Sequence, residues 1–484
     1  MNIPEVLQVK PIKSVDTMNI DTNILNPVVR TESFMRWVLM RKGILDPGSC
    51  IALSLDNGSQ DGVLPIQTGI HGLIKQAVLR IGSKIVCITD NYGKYATIRH
   101  CFQSQEERSQ KDMVRCGTGS SICPERYNSG NAQKGGLYSL KDYEYIGNGT
   151  SANPTFIPFT QFELQNSGES GNQYYIKLSQ LFPAMRNVSL PLYLINENCS
   201  IEITFNTQDS TNDGTIVKYS SQVDPLDATS KVNVRDAVFL ADYLTYDDDR
   251  MEELAAMVMS EDGLVIPYLD IITTTNSFKA VPDPGAGNTS ETQETHELGL
   301  TGMKVQSILT HFHKPGDEVG NPLGVYGSKA YPKPIKYNVR VNDKQVYPVD
   351  VESESFKAQQ LSQCFGSDIN IGVGQYSLDV ATDKSSDERV LTFNNYFEPG
   401  GLLINAANEG DLQFDNMLGD SHFTGVDFTI DGSIGQGVKI GQTPIRYLYN
   451  VTHNTADFSG REVTYFSIVE RQMSIRGGNV TVSA

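Results

Sequence analysis

Short segments in which apolar and polar residues alternate recur along the whole of this chain, and they constrain its fold more than any other feature. In residues 200–205 the apolar side chains of Ile201, Ile203 and Phe205 would share one face. This alternation predicts a strand that is buried on one side. Further strands of the same kind are predicted in residues 337–341, 426–430 and 445–451.

Tight turns accompany these strands, and helical patterns are few. Gly82-Ser83 and Asn342-Asp343 each lie between two strand patterns and predict hairpins, the first because glycine tolerates a positive φ. Helices are predicted only in residues 247–257, where acidic residues fill the first turn, and 355–365. Parallel strands would need a helix between most pairs, so the chain is predicted to be mainly β with antiparallel sheets.

The predicted organisation is an arm followed by two large domains. The 484 residues suit two β-sandwiches, and the polar stretch 224–230 places the boundary near residue 228, giving domains 30–228 and 229–484. Residues 1–29 contain several prolines and little periodicity, and are predicted to form an arm outside the first domain. Long polar surface loops are predicted at residues 103–136, 276–299 and 313–334.

Charge and composition argue against several classes of protein. The formal net charge of −18 would repel phosphate backbones, which argues against a nucleic-acid binder. The start of the chain has no secretory pattern and no apolar run approaches the ~18 residues of a membrane span, so we expect a protein made and kept in the cytosol. The seven cysteines are an odd number with no C-x-x-C pair, which predicts reduced thiols.

The sequence contains no catalytic signature. His296-Glu297 begins like a zinc-protease helix, but Leu300 occupies the position of the second histidine ligand. Residues 435–441 resemble a dinucleotide-binding loop in their glycines, but a strand pattern follows where a helix should begin. The 57 acidic residues contain no pair that stands out as a glycosidase pair. No catalytic residue, metal or cofactor is therefore predicted.

Three further side chains receive structural interpretations. His311 and His313 would share one face of a strand, as in some metal sites, but no third ligand lies at a suitable spacing. They are predicted to be a solvent-facing pair at a strand end. Trp37, the one tryptophan of the chain, lies in an apolar strand pattern and is predicted to be in the core.

Two ordered segments resemble double jelly-roll major capsid proteins of the adenovirus and nucleocytoplasmic large DNA virus lineage. Residues 174–203, with Leu190, Pro191 and Leu192 in a Leu-Pro-Leu element, resemble the end of the first jelly roll. Residues 237–250 resemble the strand and acidic-then-arginine turn that open the second; Tyr243, Asp247 and Arg250 are the motif residues. Residues 42–49 and 471–478 resemble a turn near the front of the first roll and the closing strand.

The second motif of this chain differs at one point from that of the capsid proteins of the large DNA viruses. Their second motif usually reads Leu-Asp and then Glu-Arg, whereas here Tyr246-Asp247 and Asp249-Arg250 stand one residue closer together. The chain is therefore more similar to the capsid proteins of polinton-like viruses and virophages.

The resemblance implies two tandem eight-stranded antiparallel jelly rolls, with a few short helices and long loops. It implies a major capsid protein of an icosahedral double-stranded DNA virus, in which three chains form a pseudo-hexagonal capsomer. The implied partners are the other chains of the homotrimer, neighbouring capsomers, and penton and minor capsid or cement proteins. The implied location is the virion, after assembly in the host cytoplasm or nucleus; an inner membrane is left open.

A carbohydrate-active or lectin-like β-sandwich protein is the alternative. A secreted enzyme of this kind predicts a signal segment and clustered aromatic residues for sugar stacking, and the sequence has neither a signal pattern nor a second tryptophan. A lectin module would be expected to end after one sandwich, whereas this chain continues into a second.

Overall fold

The chain forms two β-sandwiches, each made of two antiparallel sheets, and one helix connects them. The fold is seen in a computed structural model. The residues that this structure describes are 19–31, 33–57, 64–65, 69–101, 113–116, 135–137, 143–145, 159–160, 173–186, 188–206, 232–280, 290–301, 303–313, 334–341, 344–353, 356–357, 359–360, 364, 391–394, 402–405, 423–427 and 446–483.

The first sandwich begins at β1 and ends at β14. Its strands are β1 (Asn19–Leu25), β2 (Val29–Arg30), β3 (Phe34–Val38), β4 (Ile44–Leu45), β5 (Cys50–Asn57), β6 (Leu64–Pro65), β7 (Ile74–Ile81), β8 (Lys84–Asp90), β9 (Gly135–Leu137), β10 (Tyr143–Tyr145), β11 (Phe159–Thr160), β12 (Gln173–Lys177), β13 (Cys199–Phe205) and β14 (Val232–Thr245). Its helices are α1 (Tyr92–Cys101), α2 (Met113–Cys116) and α3 (Leu178–Leu181), with 3-10 turns at Gly69–Leu73, Pro183–Met185 and Leu192–Leu194.

The second sandwich follows the connecting helix α4 (Asp248–Met259). Its strands are β15 (Leu264–Ser277), β16 (Glu291–Glu297), β17 (Lys304–His313), β18 (Lys336–Val341), β19 (Lys344–Gln345), β20 (Leu391–Asn394), β21 (Leu402–Asn405), β22 (Phe423–Asp427), β23 (Tyr447–Asn454), β24 (Glu462–Arg476) and β25 (Asn479–Ser483), and helix α5 is Thr455–Phe458. None of the helices in the described part of the chain is long and apolar enough to cross a membrane.

The strands are connected in the same order in both sandwiches. Sheet A has the order β1-β14-β5-β12, with β4 on β14, and sheet B has the order β2-β3-β13-β7-β8. Sheet C has the order β15-β24-β17-β22, with β25 on β24, and sheet D has the order β16-β23-β18-β19. Each sandwich has eight main strands, which in chain order are β1, β3, β5, β7, β8, β12, β13 and β14 in the first and β15, β16, β17, β18, β19, β22, β23 and β24 in the second. When these are numbered from 1 to 8, one sheet of each sandwich holds strands 1, 8, 3 and 6 and the other holds strands 2, 7, 4 and 5. This path is a jelly roll, and it occurs twice, so the predicted mainly β fold of two tandem eight-stranded rolls is confirmed.

The long connections leave both sandwiches at the same end. Asn57 at the end of β5 pairs with Val232 at the start of β14, and Gln76 near the start of β7 pairs with Asp90 at the end of β8. The connections 58–73, 91–172 and 206–231 therefore start from one end of the first sandwich, called the loop end here. Connections 278–290 and 314–335 start from the loop end of the second, where Glu462 pairs with the ends of both β15 and β17. The opposite end is called the turn end.

The predicted strand faces of residues 200–205, 337–341 and 447–451, the hairpins and the first helix are confirmed, whereas residues 428–430 and 445 of the other predicted strand positions lie outside the described residues. Ile201 and Ile203 are fully buried, and Trp37, which pairs with Ile201, has no exposed surface. β7 and β8 form the hairpin at Gly82, whose φ is +58°. β18 and β19 form the other, whose turn residues 342–343 lie outside the described residues.

The pairing of β1 and β14 does not agree with the predicted domain limits. β1 falls within the predicted arm of residues 1–29, yet it pairs along its whole length with β14; residues 1–18 lie outside the described part. β14 begins after the predicted boundary at residue 228, yet it pairs with β5 of the first sandwich. The reason is that the last strand of a jelly roll returns after a long loop. We therefore propose that the domains divide at α4.

The three predicted surface loops have different outcomes. Residues 276–299 are partly wrong as a loop, because Asn276 and Ser277 end β15 and Glu291–Glu297 forms β16, a polar strand at the edge of sheet D. Most of residues 103–136 and 313–334 lies outside the described residues, as do residues 435–441. In the second predicted helix, 356–357, 359–360 and 364 are helical.

Candidate functional site

The turn end of the first sandwich joins two of the motif segments through β4. Leu45 pairs with Tyr243 of β14 and also forms an isolated bridge with Leu190. The Leu45 N–H donates to the Leu190 carbonyl over 2.8 Å, and the Leu190 N–H donates to the Leu45 carbonyl over 3.2 Å. The Leu-Pro-Leu element is thereby fixed to the final strand of the sandwich.

The Leu-Pro-Leu element is buried and contacts the connecting helix through its next residue. Leu190, Pro191 and Leu192 are buried, and both leucines belong to the hydrophobic cluster of the first sandwich. Tyr193 donates its hydroxyl proton to the carbonyl of Met251 in α4 over 2.9 Å. The element therefore links the sandwich core to α4.

Tyr243 is a core side chain with a satisfied hydroxyl. Only 1% of it is exposed, and its hydroxyl oxygen accepts a hydrogen bond from the Met40 N–H over 3.0 Å. The Lys42 ammonium lies 5.1 Å from the ring centroid, within cation–π range. Burial raises the pKa of the Tyr243 hydroxyl, so it stays protonated and acts as a structural group.

Asp247 and Arg250 form the first turn of α4. The Asp247 carbonyl accepts the backbone N–H groups of Arg250 and Met251 over 3.0 and 3.1 Å. Asp248 and Asp249 follow in the first turn, where carboxylates favour the positive end of the helix dipole. Asp247 is exposed and Arg250 half-buried, so the acidic-then-arginine motif begins the helix that leads into the second sandwich.

The closing turn of the chain meets the same region. The Asn196 N–H donates to the Gly478 carbonyl over 2.9 Å, and its side-chain amide donates to Gly477 over 3.2 Å. The Gly477 N–H donates to Val258 of α4 over 3.0 Å. Gly478 has a φ of +81°, and a Cβ there would lie 2.2 Å from Asn196 Nδ2, so this close approach requires glycine.

A buried ion pair lies where β15 and β24 pass the first sandwich. Arg471 Nη1 is 2.7 Å from Asp270 Oδ2, and the side-chain exposures are 22% and 0%. Burial raises the pKa of Asp270, and burial together with the charge of Asp270 raises the pKa of the Cys87 thiol in β8. Next to this pair, Tyr268 donates its hydroxyl to the Val86 carbonyl over 2.7 Å, which joins the two sandwiches directly.

Helix α1 of the first sandwich covers the outer face of sheet C. Tyr95 and Ile98 of α1 pack with Leu309, Phe466 and other side chains of that face in one buried cluster. The rings of Tyr95 and Phe466 have centroids 5.7 Å apart. A second hydrophobic cluster also contains residues of both sandwiches, including Ile266 and Ile475. The two sandwiches therefore share apolar contacts of the kind found inside a single core.

Comparison with solved structures finds the same arrangement over nearly the full chain. PBCV-1 VP54, as fitted into a cryo-EM reconstruction of the virophage Sputnik, matches with 11% identity and a TM-score of 0.53, covering 98% of this chain and 99% of that chain. A quasi-atomic model of the PBCV-1 virus capsid matches with 10% identity and a TM-score of 0.54, covering 98% and 99%. The Sputnik virophage structure at 3.5 Å matches with 9% identity and a TM-score of 0.53, covering 100% and 92%. No protein-family model and no curated protein sequence matches the chain.

The chain has the double jelly-roll fold of these capsid structures. The similarity extends over both rolls, so the tandem arrangement is shared and not only the single sandwich. In this double jelly roll, the motif residues lie at the turn end, and their segments meet around β4 and α4. They are brought together as a junction between the rolls.

His311 and His313 are not a solvent-facing pair, as was predicted, but are buried between the two jelly rolls. Their exposures are 0% and 1%, and their ring centroids are 5.6 Å apart. His313 Nε2 lies 2.8 Å from the Thr464 hydroxyl and 3.3 Å from the Lys94 ammonium of α1. The alternation placed both on one face correctly, but the covering of that face by α1 is a contact between distant segments.

The second jelly roll contains a histidine network that the sequence did not indicate. Glu294 lies 3.5 Å from Nε2 of His296 and 3.4 Å from Nε2 of His453. The Tyr465 hydroxyl is 2.6 Å from Nδ1 of His296, and both histidines are buried. Glu294 and His296 are two residues apart and therefore lie on one face of β16. Because β16 is polar throughout, its sequence did not indicate that this face would be buried. Among the described residues, no group of three His, Cys, Asp or Glu side chains could hold a metal ion.

Replacing His296 by glutamine is expected to reduce the dependence of stability on pH. Burial lowers the pKa of His296, opposed by Glu294, so the unfolded chain binds this proton more readily than the folded chain. Its contribution to stability is present above the unfolded pKa of about 6.5 and is lost as pH falls below it. The measurement is the free energy of unfolding in urea from about pH 8 to pH 5; identical slopes for wild type and His296→Gln would contradict it.

Proposed function

We propose that this chain is the major capsid protein of an icosahedral double-stranded DNA virus, and that three copies form a pseudo-hexagonal capsomer. The observation that carries the proposal is the repeated jelly-roll path, shared with PBCV-1 and Sputnik capsid structures over 98–100% of the chain. Three chains would supply six rolls, which gives a nearly hexagonal outline.

The junction between the rolls suits a building block of a shell. Hydrophobic clusters and the ion pair of Asp270 and Arg471 connect the rolls, so we infer that each chain moves as one rigid body. Leu190, Pro191, Leu192, Tyr243, Asp247 and Arg250 would act as structural residues of this junction. The loop end, with its long connections, would face outwards, and the turn end would face the interior.

The proposed partners follow from this role. They are neighbouring capsomers, and penton and minor capsid or cement proteins, within the virion of a virus assembled in the host cytoplasm or nucleus. The protein would act without a cofactor and without catalysis, because its work is the burial of complementary surface. The carbohydrate-active or lectin-like alternative is not favoured by the similarity to capsid structures across both rolls.

The test is the solution mass of the purified chain by light scattering, followed by negative-stain images. The expected result is about 160 kDa, three times the chain mass of 53.3 kDa, with hexagonal outlines. A stable monomer at 53.3 kDa over the micromolar range would contradict the capsomer and return attention to glycan binding.

A further inference from the structure

The outer face of sheet C is covered within the chain. Ile271, Phe466 and Leu309 lie on this face, each 0% exposed, and they pack against Tyr95 and Ile98 of α1. Helix α1 directly follows β8, the last strand of sheet B. The first roll therefore covers the second with α1, the segment that follows β8, its fifth main strand.

The equivalent face of sheet A has an exposed apolar side chain on β1. Leu25 and Phe239 point into the core, so their neighbours Ile24 and Leu240, which pair with each other, lie on the outer face. Ile24 is 68% exposed and Leu240 is half-buried. Val28, three residues beyond the end of β1, and Val29, the first residue of β2 in sheet B, are 67% and 40% exposed. These three exposed residues, Ile24, Val28 and Val29, together with the half-buried Leu240, are called the β1 face.

The covering segment of the second roll also has an exposed apolar side chain. The residues that follow β19, the last strand of sheet D, are the counterpart of α1 in the shared strand path. Val349 in this segment is 64% exposed. Exposed large apolar residues on a soluble protein mark contact surfaces when they cluster or complement one another. The chain thus has, on its first roll, a counterpart of the covered face of sheet C and, on its second roll, a counterpart of the segment that covers it.

We propose that the β1 face of one chain binds the segment after β19, around Val349, of a second copy of this chain. The contact repeats between chains the contact of α1 with sheet C within the chain, and it deepens the proposed function by naming the surfaces of the capsomer. Because the two patches differ, the interface is heterologous, and such contacts close into a ring when the rotation permits. A ring of three chains contains six rolls.

Local charges do not oppose this contact despite the net charge of −18. Near the β1 face, Asp21 pairs with Lys42, and Asp236 lies 3.9 Å from Arg30. Near Val349, Asp350 lies 3.7 Å from Lys336. Each patch is therefore bordered by at least one ion pair, and Asp242 on the outer face of sheet A accepts a hydrogen bond from Thr22 over 2.5 Å.

Lysine substitutions at the two patches test the contact. Ile24→Lys and Val349→Lys are each expected to weaken association about tenfold or more, because a charge would be buried in an apolar contact. Met259→Lys is the matched control: Met259 is 73% exposed at the end of α4 and belongs to neither patch, so this variant is expected to associate like wild type. Thermal unfolding of the monomers checks that every variant is folded. Full association by both patch variants would overturn the proposal.

Mixing the two patch variants separates this inference from the proposed function. Each variant keeps the patch that the other lacks, so an equimolar mixture is expected to form a pair of chains of about 107 kDa, twice 53.3 kDa, and no closed ring. A mixture that stays monomeric while wild type forms trimers would overturn the pairing of these two patches. A wild-type chain that is itself monomeric would instead overturn the proposed capsomer.

Discussion

Replacing Arg471 by methionine is expected to lower the free energy of unfolding by about 3–5 kcal/mol. The Asp270 carboxylate has no exposed side-chain surface, and its ion pair with Arg471 spans 2.7 Å. The backbone N–H of Ile271 also donates to it over 2.9 Å and the Cys87 thiol hydrogen-bonds to it, but two neutral donors do not compensate a buried negative charge. The measurement is urea unfolding at neutral pH.

A surface ion pair on the neighbouring residue is the control. Glu470 pairs with Lys304, and their side chains are 46% and 50% exposed. Lys304→Met is expected to cost less than about 1 kcal/mol, because solvent already screens both charges. Adding Asp270→Asn to Arg471→Met is expected to recover part of the loss, because the asparagine carries no charge. Equal small losses for Arg471→Met and Lys304→Met would show that burial of the pair is unimportant.

The cost of Arg471→Met is also expected to shrink in acid. Burial raises the pKa of Asp270, so the folded protein holds this proton more tightly than the unfolded chain. A carboxyl group with a raised pKa destabilises the fold at high pH and ceases to do so as pH falls through the folded pKa. Without Arg471 this pKa rises further, so unfolding of the variant below neutral pH should approach that of wild type.

Local patterns predicted strands such as β13 well because the residues that form one buried face are only two positions apart in the sequence. Ile201 and Ile203 alternate with polar neighbours, and both are fully buried. β1 escaped prediction because it is an edge strand in which only Leu25 is buried, and polar residues lie on both of its faces. The polar stretch 224–230 looked like a linker, but it belongs to the connection between β13 and β14 within one roll.

The junction could be predicted only in part. The family resemblance identified the segments around Leu190, Tyr243 and Gly478, which the chain places far apart, and the structure joins them at the turn end. No local pattern shows that β4 bridges the first two, because it has only two residues. The burial of His313 is equally non-local, since it depends on the position of α1.

Truncating Phe466 to alanine is expected to cost about 3–5 kcal/mol and to uncouple the two jelly rolls. Phe466 is 0% exposed, and its ring lies 5.7 Å from that of Tyr95, so its loss leaves a cavity between sheet C and α1. Wild type is expected to unfold in one calorimetric transition, because its hydrophobic clusters contain residues of both rolls. The variant is expected to show two.

Phe312→Ala is the matched control for this effect. Phe312 is also 0% exposed, but it packs with Phe278 and Phe458 inside the second roll, on the opposite face of sheet C. Its loss should cost a similar free energy, because the same atoms are removed from a buried site. It should leave the contact with α1 in place, so both rolls should still unfold together at a lower temperature. The same calorimetric profile for both variants would mean that the cluster between α1 and sheet C does not couple the two rolls.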